Sequence, residues 1–229
     1  MLVFAHRGAS ADAPENTLEA FELAFTQGAH GIEFDTYQHS EGIVVFHDRH
    51  LARTTNGHGK LLDTPLQLLR ELNAGNHNQI PVLSEVFSIT PKTVWCNIEV
   101  KYLHDAKTWV EAVKADIWKS DISLDKVIVS SFNHHWLKEI KRHWPEVCLG
   151  ALTATYSLDV TLDAKGLNAR NIHVALDIVS EAFIEEAHSA GFIVLVYTVD
   201  EPEDMKMLKS WGADGIFTNK PSLAIKTIT

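Results

Sequence analysis

Eight short runs of apolar, β-forming residues lie at positions 2–5, 31–35, 94–100, 126–130, 147–152, 171–175, 193–198 and 214–218, with helix-like segments between them. Strand and helix alternating in this way predict parallel strands joined by helical crossovers, which close into a (β/α)8 TIM barrel. The 229 residues are close to the ~250 typical of such a barrel, so one domain over 1–229 is expected. The spacing of Asn16 and Glu19 is that of a capping box, set before an apolar stripe at Leu18, Phe21, Ala24 and Phe25. Residues 105–118, 133–144, 180–190 and 201–211 also read as helices, the last with Pro202 near its first turn.

One run breaks the alternation. Residues 31–48 read GIEFDTYQHSEGIVVFHD, and a ninth strand-like run at 42–47 follows the second strand almost at once. A parallel crossover needs about a dozen residues or more, so this run must return as an antiparallel hairpin around Ser40, Glu41 and Gly42. His47 is thereby carried back toward Glu33 and Asp35. Side chains alternate along a strand, so Ile32 and Phe34 share one face and the two acids the other. By itself, that pattern also suits an edge strand with solvated carboxylates. Residues 48–79 read as an insertion over the barrel rim, with a turn at Asn56-Gly57 and a short helix from Thr64-Pro65 that stops near Gly75.

Functional groups of such barrels sit at the C-terminal ends of the strands. Here those ends hold His6 and Arg7, Glu33 and Asp35, and Glu99 and Lys101, followed by far less charged ends at Ser131 with Phe132, Thr153, Leu176, Tyr197 with Thr198, and Thr218 with Asn219. In NIEVK, at 97–101, parity puts Glu99 and Lys101 on one face, as it does Glu33 and Asp35. Three converging carboxylates repel one another unless a cation joins them, and oxygen ligands favour Mg2+ or Ca2+. A salt-bridge network with Arg7 and Lys101 satisfies the same spacing. The chain has 13 histidines. His39, His50, His58, His77, His104, His134, His135, His143 and His188 lie in polar or helical surroundings that suit solvated rings, whereas His6 and His47 each end an apolar strand beside the acids.

Charge limits the partners. Twenty basic against thirty acidic residues give a net charge of −10 without a basic cluster, which excludes nucleic acid and requires any small anionic substrate to be held by local charge. The longest apolar run, 192–197, falls far short of the ~20 residues of a membrane helix, and the start MLVFAHRG lacks a basic leader, so no membrane insertion and a cytoplasmic location are expected. Cys96 and Cys148 form no CxxC pair and read as buried free thiols. No residue pattern assigns an oligomeric state.

The stretches HRGAS (6–10), APENTLEAF (13–21), IEFD (32–35), VVFHD (44–48), RTTNG (53–57), NIEVK (97–101), VSSF (129–132), VYTVDEPEDM (196–205) and DGIFTNKP (214–221) occur in family order from end to end. Together they make the chain resemble the glycerophosphodiester phosphodiesterases, (β/α)8 enzymes related in chemistry to phosphatidylinositol-specific phospholipases C. The resemblance implies hydrolysis of a glycerophosphodiester to sn-glycerol 3-phosphate and an alcohol. It also implies His6 and His47 as the general acid/base pair, Arg7 and Lys101 as phosphate contacts, and Glu33, Asp35 and Glu99 as ligands of one divalent cation, Mg2+ or Ca2+. Tyr197 stands where many members have tryptophan, Asp200 where asparagine is frequent, and Asn219 where aspartate is usual.

Elementary chemistry agrees with that assignment. Phosphate ester hydrolysis demands a barrier reduction of roughly 20 kcal/mol, more than any one group supplies. The leaving alkoxide needs a proton while the attacking hydroxyl must lose one, and two imidazoles can divide those tasks. Three carboxylates, a divalent ion, two basic side chains and a phosphodiester monoanion sum to neutrality. Attack by the substrate's own glycerol hydroxyl through a cyclic phosphate, and direct attack by water, are both compatible with the residues. Phe132 and Tyr197 either pack the barrel mouth or wall the glycerol subsite. Asn16 is accounted for as a helix cap, with a substrate role for it or Glu15 as the alternative. A barrel that binds glycerophosphodiesters without turnover would not need both histidines, and a lysophospholipid or phosphoinositide substrate would call for a membrane-binding segment that is not visible.

Overall fold

The computed structural model describes residues 1–120 and 122–228. Its strands are β1 (Leu2–His6), β2 (Gly31–His39), β3 (Gly42–Val45), β4 (Trp95–Tyr102), β5 (Val127–Ser131), β6 (Cys148–Thr153), β7 (Asn171–Ala175), β8 (Ile193–Tyr197) and β9 (Gly215–Thr218). Every strand but β3 pairs in parallel with its neighbours, and β1 meets both β2 and β9, so eight strands close into a barrel. β3 runs antiparallel to β2, with His39 opposite Gly42, as the short connection dictates. The helices are α1 (Leu18–Thr26), α2 (Leu66–Glu71), α3 (Leu83–Ile89), α4 (Ala106–Lys119), α5 (His134–His143), α6 (Leu162–Leu167), α7 (Glu181–Ser189), α8 (Pro202–Ser210) and α9 (Pro221–Ile228). Among the described residues, no helix is long and apolar enough to cross a membrane.

Strand parity separates the core from the chemistry. Ile32 and Phe34 of β2 and Ile98 and Val100 of β4 turn outward and pack with Phe21, Trp109 and Leu137 of the surrounding helices. The alternate positions turn inward. Register then aligns the inward side chains: His6 lies opposite Glu33, and Asp35 opposite Glu99. Phe4, Ile128, Leu195 and Phe217 fill the barrel interior below that level.

The segment after β3 is fastened by its own hydrophobic cluster, in which Leu51, Leu61, Leu69 and Ile80 pack on Tyr37, Val44 and Phe46 of the hairpin. α2 ends at Glu71, short of the Gly75 expected from sequence, because Asn73 Oδ1 captures the amides of Gly75 and His77 and draws the chain into a turn. The cap of α1 also differs from expectation. Thr17 is the N-cap and accepts from the Ala20 amide, while Asn16 adopts φ +57° and points elsewhere. Glu19 accepts from Asn78 Nδ2 at 2.5 Å, tying α1 to the rim segment instead of closing a capping box. One histidine read as solvated is not: the rim segment buries His39, whose Nε2 is 3.1 Å from Thr64 O, while His134 is half-buried with its Nε2 3.0 Å from Leu152 O. Both cysteines are free, Cys96 buried and Cys148 half-buried.

His173 of β7 faces the barrel interior beside Phe217, with ring centroids 5.0 Å apart. Gly150 of β6 leaves room for it, since an added Cβ there would overlap the imidazole. Neither ring nitrogen has a hydrogen-bond partner, and burial pushes the pKa down to about 3. The folded ring therefore stays neutral at pH values where the unfolded chain, titrating near 6.5, takes up a proton. His173 thus costs nothing above pH 6.5 and progressively more as pH falls toward 3. His173→Leu is expected to flatten that loss, gaining about 2 kcal/mol on the parent between pH 7.5 and pH 5 in urea denaturation. Parallel stability curves for the two proteins would contradict the assignment.

Candidate active site

The turn after β1 shapes one wall of the barrel mouth. Arg7 adopts φ +59° and Gly8 φ +82°, and an added Cβ at Gly8 would press on the Ala20 backbone at 2.6 Å. This turn aims the Arg7 amide at Glu33, donating to its carbonyl at 2.9 Å and to Oε2 at 3.0 Å. The Arg7 guanidinium reaches Asp35 Oδ2 through Nε at 3.2 Å and Glu15 Oε1 through Nη1 at 2.9 Å. Asn16, freed from capping, clamps Asp35: its Nδ2 donates to Oδ2 at 2.9 Å, and its Oδ1 accepts from the Asp35 amide at 3.3 Å. From β4, Lys101 Nζ donates to Glu99 Oε1 at 2.9 Å and lies 3.6 Å from Asp35 Oδ1.

The three acids named from sequence therefore converge, with one carboxylate oxygen each of Glu33, Asp35 and Glu99 mutually within 4.8 Å. Burial, reinforced by the charges of Asp35 and Glu99, holds Glu33 well above the usual carboxylate range. Glu99 is pushed up to about 7 by burial and Asp35, with Lys101 opposing. The salt-bridge network foreseen as the alternative to an ion is present at Asp35 and Glu99. It does not satisfy Glu33, whose buried Oε1 has no hydrogen-bond partner. An unpartnered buried oxygen within an all-oxygen set fits a hard divalent cation.

The two histidines are held by different means. His6 Nδ1 is 2.8 Å from Asn219 Oδ1, and its Nε2 is 4.0 Å from Glu33 Oε2. Asn219 in turn donates through Nδ2 and its backbone amide to Asp200, at 2.5 and 2.7 Å, and Thr218 Oγ1 donates to the same carboxylate at 3.0 Å. A carboxylate only accepts, so Asn219 must turn Nδ2 to Asp200 and Oδ1 to His6. His6 then carries its proton on Nδ1 and presents Nε2 to the site. The two polar departures from the family pattern are thus partners of each other. Burial and the Arg7 charge lower the His6 pKa, against its hydrogen bond to Asn219.

His47 follows β3, where Phe46 is anchored by its amide to the Asp35 carbonyl at 2.9 Å. Its Nδ1 is 2.5 Å from Asp48 Oδ1, and Arg53 Nε holds Asp48 Oδ2 at 2.5 Å. Arg53 also grips both oxygens of Glu15, at 2.7 and 2.8 Å, and Glu15 returns to Arg7. Contact with Arg53 holds Asp48 down to about 2. For Glu15, Arg53 and Arg7 outweigh burial and hold it at about 2. Sequence reasoning passed over Asp48, Arg53 and the Asn16 contact, although all lie in the quoted stretches VVFHD, RTTNG and APENTLEAF.

Phe132 and Tyr197 meet edge to face at the mouth, with ring centroids 5.9 Å apart, and the Tyr197 hydroxyl donates to Thr153 O at 2.8 Å. Burial and then the Glu99 charge push that hydroxyl's pKa up, which places Tyr197 within electrostatic reach of the acids. Phe132 remains half exposed.

Comparison with known proteins agrees with this geometry. The model of the glycerophosphoryl diester phosphodiesterase family matches residues 6–223. A glycerophosphodiester phosphodiesterase of Caldanaerobacter subterraneus is 34% identical, covering 99% of this chain and 97% of its own. One from Bacillus altitudinis is 32% identical over 98% and 96% of the two chains. An Oleispira antarctica phosphodiesterase, solved in complex with the product sn-glycerol-3-phosphate, superposes with a TM-score of 0.91 at 29% identity, covering 100% of this chain and 96% of that one. The chain belongs to the glycerophosphoryl diester phosphodiesterase family and is an enzyme of that class.

Proposed function

We propose that the protein hydrolyses glycerophosphodiesters to sn-glycerol 3-phosphate and an alcohol, with His6 and His47 moving the protons and Glu33, Asp35 and Glu99 holding one divalent cation. The observation that carries the reading is the unpartnered Glu33 Oε1 inside the carboxylate cluster, with His6 4.0 Å from the other Glu33 oxygen. The product in the Oleispira relative supports the glycerophosphate half of the substrate. Bound at these oxygens, Mg2+ or Ca2+ would supply Lewis-acid stabilisation of the charge that develops on the phosphoryl group.

The side chains divide the remaining work. Arg7 and Lys101 give the phosphodiester two positive charges inside a protein of net charge −10. His6, neutral and presenting Nε2, is suited to accept a proton from the attacking hydroxyl. His47 has a carboxylate behind its ring that compensates positive charge on the imidazole, which suits it to protonate the leaving oxygen. Asn219 and Asp200 position His6, and Asp48 and Arg53 position His47.

Chelation is expected to abolish turnover, with recovery on adding Mg2+ or Ca2+; full activity in excess EDTA with verified absence of metal would sink the metal assignment. His47→Ala should lower kcat by about 100-fold or more while the melting temperature stays near that of the parent. Asp200→Ala removes the acceptor that orients Asn219, so kcat should fall by about tenfold with KM little changed. Parent-like kcat in that variant would show that the Asp200–Asn219 pair does not position His6.

A further inference from the structure

A second cavity, of about 380 Å3, opens beside the carboxylates and shares Lys101 with them. One side is aromatic. Tyr37 and Tyr102 stack at 6.4 Å and 18°, and Trp136, at the start of α5, meets Tyr102 edge to face at 6.2 Å. The other side comes from the segment after β3 and carries Arg49, Lys60 and Asp63. The Tyr37 hydroxyl donates to the His47 carbonyl at 3.1 Å, so the cavity adjoins the proposed proton donor. That is the side on which the alcohol would depart, given the proton transfers proposed above, on which this inference rests.

Charge and shape narrow the occupant. Lys60 lies 3.9 Å from Asp63, and Lys101 is engaged by Glu99 and Asp35. The side chain of Arg49 is exposed and makes no hydrogen bond or ion pair among the described residues, which leaves an uncommitted guanidinium at the lip. Aromatic faces attract both quaternary ammonium groups and the C–H faces of polyols. With Lys60 paired to Asp63 and Lys101 to Glu99 and Asp35, Arg49 is the uncommitted charge at the cavity, and it decides between the two, because like charge disfavours an ammonium beside it. We propose that this cavity receives the leaving alcohol and selects a polyhydroxylated headgroup, of the cyclitol or glycerol class, over a cationic one. The ring or chain packs on Tyr102 and Trp136, while Arg49, Lys60 and Asp63 hydrogen-bond its hydroxyls.

The test compares kcat/KM for glycerophosphoinositol and bis(glycero)phosphate with glycerophosphocholine, using the methyl ester of glycerol 3-phosphate as a substrate without a headgroup. The enzyme is expected to favour the polyols over choline by about tenfold or more, and Arg49→Glu to shift that ratio toward choline by a similar factor. The Arg49 side chain is exposed and its backbone hydrogen bond is through its carbonyl, so folding of the variant is not at stake. Equal use of choline and polyols, or a ratio untouched by Arg49→Glu, overturns the inference while cleavage of the methyl ester keeps the hydrolytic reading intact. Failure to cleave any of these diesters removes both.

Discussion

Mutual repulsion among Glu33, Asp35 and Glu99 is the constraint that the rest of this molecule answers. Burial in the barrel mouth magnifies it, because low dielectric weakens screening and raises the cost of each unbalanced charge. Two acids respond with raised pKa values, and Arg7, Lys101 and Asn16 converge on the third. Asp35, ringed by donors, is nearly fully buried, whereas Glu33 keeps an oxygen with nothing to bind. A fold selected for stability alone has no reason to retain that arrangement, since apolar residues of similar volume would serve as well. It fits the cation and phosphate proposed above.

Much of this was written in strand parity. Glu33 with Asp35 and Glu99 with Lys101 had to share inward faces once Ile32, Phe34, Ile98 and Val100 were assigned to the core, and the short link before β3 forced His47 back to the mouth. The same parity would have put His173 inside, between outward-facing Ile172 and Val174, yet a histidine in a strand carries no pattern of its own to draw notice. The cap of α1 was misread for a different reason. Asn16 and Thr17 are both good cap residues, and only the left-handed backbone at Asn16, set by the turn after β1, hands the role to Thr17. Asp48, Arg53 and Glu15 come from separate loops, and nothing in sequence spacing states that they meet.

Their meeting gives the rim segment a purpose beyond covering the hairpin. From Asp35 through Arg7, Glu15 and Arg53 to Asp48, charges alternate in sign without a break, and Asp48 meets the His47 ring. Arg53 is the central link and is nearly half exposed, at 47% of its side-chain surface. Exposed ion pairs contribute little stability, commonly below about 1 kcal/mol each. Their value here is geometric. Arg53 binds two carboxylates with a planar fork, which fixes the angle between the loop carrying His47 and the loop carrying Arg7. Leu51, Leu61 and Leu69 supply the hydrophobic burial that holds the segment down, so the ion pairs are left to set direction.

The His6 side reaches the same end without a second cation. An amide between ring and carboxylate passes on orientation without placing a negative charge on the imidazole, since Asn219 faces the ring and Asp200 lies one hydrogen bond behind. On the His47 side the carboxylate touches the ring directly and its charge is balanced by Arg53. The two histidines are therefore both held, but in unlike electrostatic settings, one against a neutral amide and the other against an anion. Unlike settings are what a reaction needs when one imidazole must gain a proton while the other gives one up.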